Sequence, residues 1–273
     1  MTVLSRVPVP GGELTVATWG DLAAGTPVLA IHGITASHVA WGPVAALLPG
    51  PVVAPDLRGR GGSGDVPGPY GMAAHAADCV AALDHLGIER ATVVGHSMGG
   101  FVAAVLAHRY PSRVARLVLV DGGAPLSVPD GADLETLLGP AVARLDMRFA
   151  SRAEYREFWG KHPAFTEWTP AIESYVDYDL TGTEPELRSK VSGAAVRADF
   201  VDLHTGAAGR DAYAALAPDT PFLRAERGMF DEPGGLYPNP AAVGLAVTTV
   251  PGTNHYSILF GADGAKAVAA ALS

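Results

Sequence analysis

The 273-residue sequence predicts an α/β fold: a mainly parallel, twisted sheet of about eight strands flanked by helices, with a helical cap inserted after the sixth strand. Three observations predict it. Short apolar runs at residues 27–31, 52–54, 91–94 and 116–120 each end at Gly, His-Gly, Asp or Pro-Asp, the pattern of strands buried on both faces. Helix-patterned segments separate these runs, and strand–helix–strand alternation implies right-handed crossovers between parallel strands. From Phe149 to Tyr178, eight of the chain's 20 aromatics fall within 30 positions, and no buried strand run appears until Pro221-Phe-Leu223.

Taken in order, Val3–Val9 and Glu13–Trp19 flank Gly11-Gly12 and read as a hairpin. Pro27–Ile31 is a strand ending at His32-Gly33, Ser37–Leu48 a helix, and Val52–Ala54 a strand before Pro55-Asp56. Met72–Leu86 is helical, Ala91–Val94 is a strand running into Gly95, and Met98–His108 is helical again. Arg116–Val120 leads into Asp121-Gly122-Gly123. After the aromatic-rich stretch, Pro221–Glu226 and Ala246–Val250 resume the sheet, and Ala262–Leu272 is a closing helix. The division expected is one α/β core from residues 1–123 and 207–273, with a helical cap over residues 124–206. One large domain with an insertion suits this length better than two equal domains.

A formal net charge of −9 argues against a nucleic-acid or anionic-membrane surface. Cys79 is the one cysteine, so no internal disulfide and no cysteine-based metal site is expected. The first ten residues hold one Arg and no apolar stretch of signal-peptide length, and no run reaches the ~20 residues that span a bilayer. A cytoplasmic protein, monomeric or homodimeric, is the expectation.

The chemistry is concentrated at the carboxyl ends of the strands, where α/β sheets place working residues. Gly95-His-Ser-Met-Gly99 follows a buried strand and opens a helix, the context in which G-x-S-x-G forms a nucleophile elbow around Ser97. A hydroxyl is a weak nucleophile until a base takes its proton. Among nine histidines, His255 has the best claim, because it follows the strand Ala246–Val250 through Pro251-Gly-Thr-Asn254. His32 and His96 belong to the turn motifs themselves and are expected to hydrogen-bond backbone. Asp56 reads as structural, pairing with Arg58 or capping backbone N–H groups. The Gly59–Gly64 run is neither a phosphate loop nor a dinucleotide fingerprint, since no Gly-Lys-Ser/Thr ends it and no helix opens there.

Taken together, His32-Gly33, Asp56-Leu-Arg-Gly-Arg-Gly-Gly-Ser63, the Ser97 elbow and Pro251-Gly-Thr-Asn-His255 make the chain resemble the α/β-hydrolase fold superfamily over nearly its full length. The resemblance implies Ser97 as nucleophile, His255 as general acid/base, and an oxyanion hole from the backbone N–H groups of Met98 and Ile34. It leaves the acid open. Most relatives place an Asp a few residues after the seventh strand, and here Ala225-Glu-Arg-Gly228 carries no carboxyl at the matching position. Asp121, after the sixth strand, is preferred, with Asp231 as the alternative and Glu226 behind both.

The resemblance implies a serine hydrolase acting on a small-molecule acyl substrate, a small, largely apolar ester, lactone or related compound, with no metal or organic cofactor. A serine at the elbow argues against haloalkane dehalogenases and epoxide hydrolases, which use Asp there. Carbon–carbon bond hydrolases, cofactor-independent oxygenases and slow-turnover ligand receptors share the scaffold, and fold alone does not separate them. Trp159 and Trp168, from the aromatic-rich insertion, are expected to bind substrate.

Overall fold

The computed structural model describes residues 2–126, 138 and 142–273. Its sheet contains β1 (Thr2–Val9), β2 (Gly12–Trp19), β3 (Val28–Ile31), β4 (Val52–Pro55), β5 (Ala91–His96), β6 (Val114–Val120), β7 (Pro221–Ala225) and β8 (Ala246–Val250). Their spatial order is β1-β2-β4-β3-β5-β6-β7-β8. The β1–β2 and β2–β4 pairs are antiparallel and all the others are parallel.

Side-chain alternation divides the sheet residues between two apolar layers. Leu29, Ile31, Val53 and Val93 pack under α1 (Met72–His85), α2 (Met98–Arg109) and α6 (Ala207–Ala214) through Met72, Leu83, Val102, Leu106 and Ala212. On the other face, Val28, Ala30, Val94 and Val118 meet Trp41, Ile258 and the closing helix α7 (Ala262–Leu272). That second layer continues into the segment between β6 and β7, where α3 (Arg152–Gly160) and α4 (Pro170–Tyr178) contribute Tyr155, Trp159 and Tyr175. Among the described residues, no helix is long and apolar enough to cross a membrane.

Two local expectations are corrected. The helix expected over Ser37–Leu48 is a 3-10 turn, His38–Trp41, followed by a single α-turn, Gly42–Ala45. Pro43 has no N–H to donate, and the His38 N–H is committed to Asp56 Oδ1 at 2.7 Å, so a continuous ladder cannot form. The insertion expected to be helical over 124–206 also carries a two-residue antiparallel ladder, Leu180–Thr181 with Arg188–Ser189. Such short strands leave no apolar run in the sequence. Residues 127–137 and 139–141 of that span lie outside the described residues.

Buried polar contacts bind the helices between β6 and β7 to the start of α1 and to the turn after β4. Asp199 on α5 (Gly193–Thr205) accepts from Gly71 N at 2.6 Å and His75 Nε2 at 2.9 Å, and Asp202 accepts from Met72 N at 2.7 Å. These two carboxylates serve the free N–H groups at the start of α1, whose own N-cap, Gly71, has no side chain to offer. Tyr178 OH donates to Asp56 Oδ2 at 2.7 Å. Asp56 also accepts from Gly62 N at 2.7 Å and lies 2.9 Å from His38 Nδ1. Arg58 does not pair with Asp56; its guanidinium forks onto Asp78 at 2.6 and 2.7 Å.

Backbone packs closely on backbone around the β5–α2 turn. A Cβ on Gly95 would overlap the Gly99 carbonyl, and one on Gly99 would overlap the Ile31 carbonyl of β3. Gly99→Ala is therefore expected to lose about 3 kcal/mol or more of stability in urea unfolding. Gly160→Ala, at the end of α3 with open space around it, should change stability by no more than ~1 kcal/mol. Equal effects would contradict the packing described.

Two buried imidazoles sit at strand ends, His32 directly after β3 and His96 as the last residue of β5. His32 Nε2 accepts from Leu57 N at 3.0 Å, so Nδ1 carries the proton and donates to the Gly33 carbonyl at 2.8 Å. Burial pushes the His32 imidazole down to about 4, and burial next to His255 likewise lowers His96. The unfolded chain then binds more protons than the folded one between the ordinary histidine value of 6.5 and about 4. Stability is full above that window and falls as pH drops through it, by about 2 kcal/mol between pH 7.5 and 5 from His32, with His96 adding in the same direction. Urea unfolding at the two pH values measures this; a stability that rises at pH 5 would contradict it.

Candidate active site

The site is assembled from the turns that follow β3, β5, β6 and β8. Ser97 stands between β5 and α2 with φ 55° and ψ −126°, a conformation in which a non-glycine residue stores about 1–3 kcal/mol. Hydrogen bonds hold it: Ser97 N donates to Val120 O at 3.0 Å, and Gly100 N donates to Ser97 O at 2.9 Å. The next N–H, that of Met98, is the first of α2 and among those without an intrahelical acceptor. The Gly33–Ile34 turn lies against the nucleophile candidate, since a Cβ on Gly33 would stand 3.1 Å from Ser97 Cβ.

Asp121 reaches the imidazole. It too has positive φ, 44°, and its N–H donates to Leu223 O on β7 at 2.7 Å. Its fully buried carboxylate accepts from Ala225 N at 3.0 Å through Oδ1 and lies 2.7 Å from His255 Nδ1 through Oδ2. A carboxylate accepts, so Nδ1 is the donor in this contact, and in the neutral ring Nε2 is then the acceptor. The His255 backbone is held from behind: its carbonyl accepts from His96 Nε2 at 2.9 Å, with the two rings 4.6 Å apart. Asn254 Oδ1 accepts from Tyr256 N and Ser257 N at 3.0 and 2.8 Å, fixing the turn that carries His255.

The other carboxylates are engaged elsewhere. Asp231 pairs with Arg227 Nε at 2.9 Å and accepts from Asn254 Nδ2 at 3.0 Å, and these partners hold its carboxyl below the ordinary range. As the alternative acid it is corrected: its loop turns the side chain to Asn254, one residue short of the histidine. Glu226 accepts from Gly252 N at 2.8 Å.

Ser97 and His255 line one small cavity of about 40 Å³, room for a few water molecules. Ile34, Ala36, Ala40, Met229, Leu259 and Phe260 make its walls largely apolar, with Tyr175 and Tyr256 adding aromatic surface. Trp159 and Trp168, the two expected to bind substrate, are not among the lining residues of this cavity. Trp159 is buried among Tyr155, Phe165 and Tyr175, under the Arg144 guanidinium at 4.9 Å, and Trp168 packs on Phe165 with its Nε1 donating to Glu173 at 3.3 Å. Both serve the insertion's own core. Tyr256 carried a sequence signal in its adjacency to His255; Met229, Leu259 and Phe260 carried none, since their approach to Ser97 depends on how separate loops fold together. Among the described residues, no cluster of three His, Cys, Asp or Glu is placed to hold a metal ion.

Comparison with known proteins identifies the fold and the family. The profile of the alpha/beta hydrolase fold family matches residues 26–162. An uncharacterized protein of Mycobacterium tuberculosis is 43% identical over 102 residues, covering 37% of this chain and 30% of the relative, so the chain spans under a third of that protein's length. The 2-hydroxymuconate semialdehyde hydrolase of Pseudomonas putida is 34% identical over 225 residues, 69% of this chain and 76% of the relative. The crystal structure of E-2-(acetamidomethylene)succinate hydrolase superposes with a TM-score of 0.79 at 23% identity, covering 98% of each chain. With the sheet order, the elbow turn and a match of this extent in agreement, the chain belongs to the α/β-hydrolase fold family.

Proposed function

We propose that the protein is a serine hydrolase of small, neutral, largely apolar acyl compounds, such as short esters, lactones or thioesters. The observation that carries this reading is that Ser97 and His255 line one small apolar cavity, with Asp121 Oδ2 2.7 Å from His255 Nδ1. In the proposed reaction Ser97 Oγ bonds to the carbonyl carbon while His255 Nε2 takes the hydroxyl proton. The carbonyl oxygen becomes an oxyanion facing the Met98 and Ile34 N–H groups, each donor worth about 3 kcal/mol. Collapse breaks the bond to the leaving group, which departs with the proton from His255. Water repeats the sequence on the acyl-enzyme and restores Ser97.

The named activity of the Pseudomonas putida relative supports a second reading, carbon–carbon bond hydrolysis. A carboxylate-bearing substrate of that kind needs a cation beside it. Among the described residues none of the cavity-lining side chains is Arg or Lys, and residues 127–137 and 139–141 contain neither type. This favours a neutral substrate.

An assay across acyl chain lengths, lactones and a carboxylate-bearing dienol ketone, with Ser97→Ala in parallel, tests the proposal. Steady turnover of the shortest neutral esters, lost in Ser97→Ala, is expected; turnover of the dienol ketone alone would favour the second reading, and one-equivalent capture without turnover a receptor. In the same assay Asp121→Asn should lower kcat by about 10⁴-fold with the fold intact, since the imidazole loses its tautomer. Asp231→Asn should stay within a few-fold of wild type. The reverse order would contradict the assignment.

A further inference from the structure

The loop that carries Ile34 is gripped by a buried guanidinium. Arg60 has no exposed surface; its Nε donates to the Ile34 carbonyl at 2.9 Å and its Nη1 donates to the Arg58 carbonyl at 3.0 Å. The same Nη1 lies 2.5 Å from Asp199 Oδ2 on α5, and Asp199 is itself fully buried and fixed by Gly71 N and His75 Nε2. Around this pair α5 is pressed onto the loop holding Arg60. A Cβ on Gly59 would stand 2.5 Å from Ala195 Cβ, and Ser192 N donates to the Gly59 carbonyl at 2.8 Å.

An ion pair buried this deeply adds little net stability, because desolvation offsets most of the attraction. What it supplies is geometry. The guanidinium is a rigid planar fork, able to meet the Ile34 carbonyl and the Asp199 carboxylate at once, which the single ammonium of a lysine does not do. With its carbonyl held, movement of the Ile34 backbone away from Ser97 is opposed.

We propose that Arg60 is a positioning residue for the oxyanion hole: it fixes the Ile34 backbone against Ser97 and is itself held by Asp199 of the inserted segment. The inference rests on the reading of Ser97 as nucleophile. On this account the inserted segment sets the alignment of the hole, and a displaced oxyanion donor slows bond formation at Ser97 without weakening the prior encounter with the reagent.

The test is labelling by a fluorophosphonate, followed by intact-mass spectrometry. Ser97 Oγ bonds to phosphorus, fluoride leaves, and the serine proton passes to His255 while the phosphoryl oxygen occupies the hole. Wild type, Arg60→Lys and Asp199→Asn are compared for the bonding rate and for the reversible affinity that precedes it, with urea unfolding as a check of fold. Arg60→Lys is expected to label at least about 10-fold more slowly, and Asp199→Asn by a smaller factor, each with reversible affinity within about twofold of wild type. An unchanged bonding rate in either folded variant, or a loss carried by affinity, overturns the proposal. If Arg60→Lys fails to fold, Asp199→Asn decides by the same criterion; failure of both to fold makes the pair a stability element and also overturns it. A wild type that forms no adduct on Ser97 overturns the underlying reading of the nucleophile, an outcome distinct from all of these.

Discussion

The close approach of the α2 N-terminus to β3 is the constraint on which the site depends. Ser97 occupies a positive-φ turn because the first turn of α2 sits on the Ile31 carbonyl, a contact that any Cβ on Gly99 would break. That contact sets where the Ser97 hydroxyl emerges, beside the Gly33–Ile34 turn. It also fixes the Ser97 N–H on Val120 O, the last residue of β6, directly before Asp121. Nucleophile candidate, acid candidate and the Gly33–Ile34 turn thus share one rigid scaffold, and only His255 arrives on a separate loop.

That loop is restrained from several sides. Asp121 holds the imidazole, His96 the backbone carbonyl, and Asn254 the following turn, while Asn254 Nδ2 also donates to the Ala164 carbonyl of the inserted segment at 3.0 Å. His96 does this work as a neutral ring, which its burial favours. In a small, apolar cavity such fixed dipoles act through a low effective dielectric and need no rearrangement as charge develops.

The sheet was legible because strands buried on both faces leave continuous apolar runs, as at Leu29–Ile31 and Val118–Val120, closed by Gly or Asp turns. Ser97 and His255 were legible for a related reason, as short motifs at strand ends with a specific local geometry. The meeting of Asp121 with His255 depends on the pairing of β6 with β7, which no local pattern encodes; a carboxylate at a buried strand end was the available clue. The packing of Trp159 and Trp168 on Phe165 was not legible, because a cluster of aromatics marks burial without indicating which surface it faces. Arg60 stood in the sequence only as part of the Asp56–Ser63 motif, since its meeting with Asp199 depends on how residues 193–205 fold onto that loop.

The most direct test of the central claim is to catch the acyl group on the chain. Wild-type protein is mixed with a short-chain nitrophenyl ester and quenched in acid during turnover, and its intact mass and peptide map are read. The account predicts a mass increase of one acyl group, located on Ser97 and absent from Ser97→Ala. Turnover that persists in Ser97→Ala, or an acyl group carried on another residue, would contradict it.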